Sequence, residues 1–291
     1  MACLALSTLA CGSSDDEEPA AKRNWQTLVS GEWTMPEGSE GYTCVRHTVE
    51  EDLYVNAFEA INPLGTHHTL LTMGGRAESG EPDGISKCNA STNGTLAVFA
   101  SGVGTNPLVF PPGVALKIPA GTQLLLNLHL FNTGREGEIS GLSGTRISTV
   151  PVEEVEHFAE GILAGPIGLN LPPGETTTTT GHCTMTQDTT IFAVAPHMHQ
   201  LGSYERVFAE TAGGEVTLYD APYDFDEQSF TSLAEPLQLK AGDRLRVECT
   251  HQNTTTQTVR FGESTLEEMC FAGIYRYPGD GKLFICFDFP R

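Results

Sequence analysis

Two histidines stand two residues apart in VAPHMHQLG, His197 and His199. On a β-strand, positions i and i+2 share a face, so both imidazoles can reach one metal ion while Met198 between them points the other way. A second pair, His67 and His68, is adjacent in NPLGTHHTLL. Neighbours on a regular strand face opposite sides, so these two serve one ion only where the backbone bends; Pro63 and Gly65 just upstream suit a bulge or loop end. His129 falls on the more polar face of QLLLNLHLFNTG, with Leu126, Leu128 and Leu130 on the other. Alone it reads as a packed or surface residue; it gains meaning as a third ligand beside His67 and His68. Met269, next to Cys270 in STLEEMCFAGIY, would ordinarily fill core space, but its thioether is the soft ligand that favours Cu(I) over Zn or Mg. His47, His157, His182 and His251 show no partners in the sequence and are given no role. Signatures of other chemistry, such as GxSxG, HExxH or a P-loop, do not occur.

The elements that must position these residues are strands. TCVRHTV, LYVNAFEAI, TLAVFAS, VALKIPAG, TTIFAVAPHMH, YERVFAET, DRLRVECTHQN and KLFICFDF are short, rich in β formers and separated by Gly, Pro and Asn. The Thr run 176–180 reads as a β edge or a loop, and no long amphipathic helix stands out. The pattern predicts an all-β chain of two antiparallel, jelly-roll-like β-sandwich domains, residues 25–152 and 153–291, behind an N-terminal segment 1–24.

Composition narrows the setting. Sixteen basic against 37 acidic residues give a net charge of −21, which argues against nucleic acid or an anionic membrane surface as an electrostatic partner. No apolar run reaches the ~18 residues of a membrane-spanning helix. MACLALSTLAC looks like the end of a bacterial lipoprotein export signal, in which Leu9 and Ala10 precede Cys11 as the lipid acceptor; residues 12–24 then form a flexible tether. On that reading the protein is extracytoplasmic, anchored to a bacterial membrane by lipid alone, and monomeric. Besides Cys3 and Cys11 there are six cysteines, an even number that suggests disulfides in an exported chain, with fifteen pairings open.

Taken together, the motifs resemble the copper type II, ascorbate-dependent monooxygenases, the group that includes peptide-amidating and dopamine-hydroxylating enzymes. GTHHTLL, NLHLFNTG, PHMHQLG and ECTHQNTTTQTVRFGESTLEEMC occur in the family's order over most of residues 40–290. The resemblance implies two coppers per chain: an electron-transfer copper on His67, His68 and His129, and an oxygen-binding copper on the catalytic His197, His199 and Met269. It implies O2 and ascorbate, or another one-electron reductant, as cosubstrates, and hydroxylation of a substrate C–H bond. It also pairs Cys44 with Cys88, Cys183 with Cys286, and Cys249 with Cys270.

The sequence departs from the family around the substrate. Where peptide-amidating members carry an arginine two residues before the first histidine of HxH, this chain has Ala195; polar residues after the EMC are replaced by Phe271 and Gly273. Ala195, Phe271 and Tyr275 are the candidate substrate-binding residues, and Tyr277 could also line the pocket. The substrate, a small molecule or a peptide, is expected to be more apolar than a peptide ending in a free carboxylate. The competing readings are a copper carrier or store that kept the ligands and lost a substrate, and a structural β-sandwich whose histidines bind nothing.

Overall fold

The alternation in QLLLNLHLFNTG is realised as a strand whose Leu124, Leu126, Leu128 and Leu130 are each at most 1% exposed. The same two-residue period organises the rest of the chain. The computed structural model describes residues 23–288 apart from 75–80, 90–95, 133–136, 226, 228, 263–265 and 280–284. Cys3 and Cys11, and with them the expected lipid attachment, lie outside the described residues.

The first half holds β1 (Gln26–Met35), β2 (Glu40–Thr48), β3 (Leu53–Ile61), β4 (Thr66–Met73), β5 (Gly84–Cys88), β6 (Leu96–Ser101), β7 (Leu108–Val109), β8 (Val114–Ile118), β9 (Gln123–Phe131) and β10 (Ile139–Thr149). After one 3-10 turn at Val152–Glu154 follow β11 (His157–Phe158), β12 (Glu160–Ala164), β13 (Asn170–Leu171), β14 (Thr176–Thr184), β15 (Thr189–Met198) and β16 (Gly202–Thr211). The chain ends with β17 (Gly214–Pro222), β18 (Thr231–Leu239), β19 (Arg244–Gln252), β20 (Val259–Arg260), β21 (Cys270–Tyr277) and β22 (Ile285–Cys286). The expectation of an all-β chain holds, with no α-helix among the described residues.

Four larger sheets carry the architecture. One runs β1-β10-β3-β8-β11, with β7 also on β3, and a second runs β5-β2-β9-β4-β6. A third runs β18-β15-β21-β12-β22 and a fourth β14-β19-β16-β17. Pairing is antiparallel except for β11 on β8 and β22 on β12. The Thr run lies in β14, the edge strand of the fourth sheet, and shows the alternating exposure of an edge.

Two apolar clusters form between these sheets. The first collects Phe58, Ile118 and Ile147 from the first sheet and Leu71, Phe99, Leu126 and Leu128 from the second. The other collects Ile191, Val194, Met198 and Ile274 from the third sheet and Val207, Leu245 and Val247 from the fourth. The halves do not part cleanly at residue 152. β11 pairs with β8, so the first sheet takes in His157 and Phe158. Phe192, Ala193 and Tyr275 of the third sheet also belong to the first cluster. The Phe110 and Phe192 rings lie 4.9 Å apart, and the Tyr275 hydroxyl donates to Val98 O at 2.9 Å. The third sheet is therefore covered on both faces over part of its length.

The disulfides match the pairing implied by the resemblance: Cys44–Cys88, Cys183–Cys286 and Cys249–Cys270. The last two tie the fourth sheet to the third. Each constrains the unfolded chain and stabilises the fold by about 2–4 kcal/mol.

Phe99 is 1% exposed and stacks between Phe58 at 5.3 Å and Phe230 at 5.1 Å. Phe99→Ala should lower the unfolding free energy by about 3–5 kcal/mol in urea titrations, the cost of an unrelaxed aromatic cavity. Tyr275→Phe, which removes one buried hydrogen bond between the halves, should cost about 1 kcal/mol.

Candidate metal centres

The adjacent pair His67 and His68 sits at a break in strand register. β4 pairs with β9 through Thr66↔Leu130 and then His68↔His129, so one extra residue, His67, is inserted on β4. Gly65 allows the approach: its φ is 100°, and a Cβ there would lie 2.7 Å from the Trp33 ring and from Ile139. The bulge brings both neighbours to one side, as a shared ion requires.

The Nδ1 atoms of His67 and His129 are 3.1 Å apart, those of His68 and His67 3.2 Å, and those of His129 and His68 3.4 Å. Three nitrogens in such a triangle surround a point roughly 2 Å from each, the length of a metal–imidazole bond. Among the described residues this is the one group of three or more His, Cys, Asp or Glu side chains whose ligand atoms converge in this way.

Two neighbours hold His129 in place. Its Nε2–H donates to Glu40 Oε1 at 2.7 Å, which leaves the Nδ1 lone pair facing the other imidazoles. Its register partner Tyr42 stacks on it, with ring centroids 4.4 Å apart and planes within 6°. Burial, and then the imidazoles of His129, His67, His197 and His199, hold His68 well below the ordinary histidine range. A neutral imidazole is the form that binds metal.

On β15, Ala195 and His197 share one face while Met198, fully buried, points into the second core. The register pairs Ala195 with Gly273, His197 with Phe271 and Met198 with Cys270 on β21. Continuing past the strand ends, it sets His199 level with Met269. The His197 and His199 rings are 5.4 Å apart, and both, with Met269, line one cavity. The Nδ1–H of His199 donates to Glu267 O at 3.0 Å, leaving Nε2 as its ligand atom.

Residues without an evident role in the sequence hold this second set together. Glu268, fully buried, accepts the backbone N–H of His199 at 3.0 Å and of Leu201 at 2.7 Å. His251, also fully buried, donates from Nε2 to Met269 O at 3.0 Å, and that nitrogen lies 3.3 Å from Glu268 Oε2. The sequence offered one signal for His251: it stands two residues after Cys249, on the strand face that the Cys249–Cys270 bridge fastens beside Met269. Burial pushes the Glu268 carboxyl up, but His251 and the backbone amides of Leu201 and His199 outweigh it and hold the group below its ordinary value.

One aromatic ring reaches both sets. The Phe225 centroid lies 5.9 Å from that of His67, 5.7 Å from His68 and 6.4 Å from His199. The cavity it helps to wall has a volume of about 330 Å³ and is lined by His68 on one side and by His197, His199 and Met269 on the other. The three candidate substrate residues, Ala195, Phe271 and Tyr275, all line it. Tyr277 is not among its lining residues; it stacks on His157 instead. The donor sets suit copper: three imidazoles serve both oxidation states, and two imidazoles with a thioether favour Cu(I).

Residues 161–289 match the family model described as copper type II ascorbate-dependent monooxygenase, C-terminal domain. The chain is 26% identical to human putative DBH-like monooxygenase protein 2 over 285 residues, covering 88% of this chain and 57% of that protein. It is 30% identical to chicken DBH-like monooxygenase protein 1 over 222 residues, covering 68% of this chain and 34% of that protein. This chain thus spans from about a third to just over half the length of these relatives. Among solved structures, the VP2 subviral particle of infectious bursal disease virus is 9% identical, covers 93% of this chain and 75% of that one, and has a TM-score of 0.22, too low to inform the fold.

Glu268→Ala should lower stability by about 3 kcal/mol, since buried donors left unmet cost ~1–3 kcal/mol each. The depressed carboxyl contributes stability that is present above its unfolded value and lost as pH falls through its lower folded value. Unfolding titrations across the acid range should therefore show a steeper loss for the parent protein than for Glu268→Gln.

Proposed function

The chain belongs to the copper type II ascorbate-dependent monooxygenase family, and from that premise we propose that it hydroxylates a C–H bond with O2 and a one-electron reductant such as ascorbate. The observation that carries this reading is the convergence of three imidazole Nδ1 atoms within 3.1–3.4 Å, across a cavity from His197, His199 and Met269. In this proposal His67, His68 and His129 hold the electron-transfer copper, and His197, His199 and Met269 the copper at which oxygen reacts. We read the four sheets as two jelly-roll-like sandwiches that share the face of the third sheet.

Copper held at these positions would supply one-electron chemistry with O2. The protein's part is positioning and exclusion of water. Glu40 fixes the tautomer of His129, and Glu267 that of His199. Glu268 and His251 clamp the end of β15 to the Met269 backbone. Phe225 sets an apolar ring beside both sets, 5.7 Å from His68 and 6.4 Å from His199. In the overall reaction one C–H bond and O2 are consumed with two electrons and two protons. One oxygen atom enters the new C–OH group and the other leaves as water. Three disulfides support a setting outside the cytoplasm, and attachment through a lipid on Cys11 belongs to the same proposal.

Copper-loaded protein with ascorbate should consume O2 above the free-copper rate when given a substrate. Met269→Ile should abolish that turnover while leaving the three-histidine set loaded, as read by metal analysis. Activity surviving the change would remove Met269 from the oxygen site. Copper bound without turnover across a broad substrate panel would favour a carrier. Glu40→Gln should weaken copper binding by about 10–100-fold, the usual effect of losing the partner that orients a ligating histidine.

A further inference from the structure

We propose, resting on the monooxygenase reading, that the cavity beside His197, His199 and Met269 takes a small, uncharged, mostly hydrocarbon substrate and rejects molecules whose reacting end carries a carboxylate or an ammonium group. The first support is the lining itself. Among the described residues it contains no Asp, Glu, Lys or Arg. A charge brought into such a space loses its hydration without gaining a partner, at a cost of several kcal/mol.

The polar side chains that do reach the cavity are largely committed elsewhere. The Thr69 hydroxyl pairs with Ser101 Oγ at 2.8 Å, the Asn127 amide donates to Asn89 O at 2.8 Å, and the Tyr275 hydroxyl donates to Val98 O. The imidazoles of His68, His197 and His199 are assigned to metal. What remains is Tyr42, whose ring stacks on His129, and carbon surface from Leu70, Phe99, Phe230, Phe261 and Phe271.

The shape of the space follows from strand register. Ala195 faces Gly273 across β15 and β21, and Gly273 faces Leu163 across β12. Two small residues opposite each other make a dent in the sheet, between the taller pair His197 and Phe271 on one side and Tyr275 on the other. Gly273 cannot grow without filling it: a Cβ there would lie 3.2 Å from Ala195 Cβ. Aromatic rings close the sides, with Phe261 5.9 Å from Phe271 and Phe230 5.5 Å from Tyr275. The volume of about 330 Å³ is at the small end for ligand sites, which suits a single substituted ring better than a peptide. The net charge of −21 would draw cations toward the molecule at large, so rejection of an ammonium group would have to come from the lining.

The test uses protein loaded with copper and reduced in the absence of O2, so that the imidazoles lining the cavity stay occupied and binding is measured apart from turnover. Three probes share a benzene ring and similar length: propylbenzene, 2-phenylethylammonium and 3-phenylpropanoate. Calorimetric titration should give the tightest binding for propylbenzene, with both ions weaker by about tenfold or more. Gly273→Leu should remove propylbenzene binding, and Ala195→Arg should raise phenylpropanoate above propylbenzene. If Ala195→Arg does not fold, Leu70→Lys at a half-buried lining position places a charge in the same space. An ion that binds the parent protein as tightly as propylbenzene, or propylbenzene binding untouched by Gly273→Leu, would overturn the inference. Product formation is assayed separately after O2 is admitted. Binding as expected with no O2-dependent product from any probe would count against the monooxygenase reading and leave the substrate class standing. Preferential hydroxylation of an ion would do the reverse.

Discussion

The candidate site depends on the two-residue period of antiparallel strands. β9 buries Leu124, Leu126, Leu128 and Leu130 on one face and thereby commits Asn127 and His129 to the other. β15 buries Val194 and Met198 and commits Ala195 and His197 to the cavity. A slip of one residue in either strand would exchange core for ligand, so the apolar cores that hold the sheets together also fix the chemistry. The period is broken where chemistry needs an extra residue on the same side, at His67, and the break is a bulge prepared by Gly65.

Charge is arranged around the ligand sets rather than among them. Glu40 stands behind His129, and Glu268 behind His199 and Met269; neither lines the cavity. Glu205 pairs with Cys249 and Ala221 in the fourth sheet and is fully buried; burial pushes its carboxyl well above the usual range, toward the neutral acid. The space between the sets is thus faced mainly by imidazole and hydrocarbon, with no charged side chain among the described residues that line it. Such an interior strengthens whatever electrostatic interaction a bound ion makes, and burial with the neighbouring imidazoles holds His68 well below the ordinary histidine range. Phe225, whose ring lies beside both sets, lines the one cavity that they share.

Much of this was legible in the sequence because it is local. The HxH spacing, the alternation in β9 and the Pro-x-Gly before the histidine pair each lie within a few residues, and strand geometry turns them directly into direction. The partners that orient the ligands were not legible in the same way. Glu40 reaches His129 across 89 residues, and the Glu268 carboxylate reaches the His199 amide across 69. Phe225 lies on a connection whose path no periodicity records. The shared third sheet was also invisible: Tyr275 reads as a substrate residue and Phe192 carries no mark of its own, and nothing in their spacing tells which of two cores they enter. The halves therefore looked more separate in the sequence than they are.

The central claim is that one chain holds copper in two unlike environments, three imidazoles at one and two imidazoles with a thioether at the other. X-ray absorption at the copper edge of the fully loaded, ascorbate-reduced protein tests it directly. The account predicts two coppers per chain and an averaged shell of imidazole nitrogens with one sulfur neighbour for every two coppers. A loaded protein whose coppers show nitrogen or oxygen neighbours alone, with no sulfur shell, would contradict it.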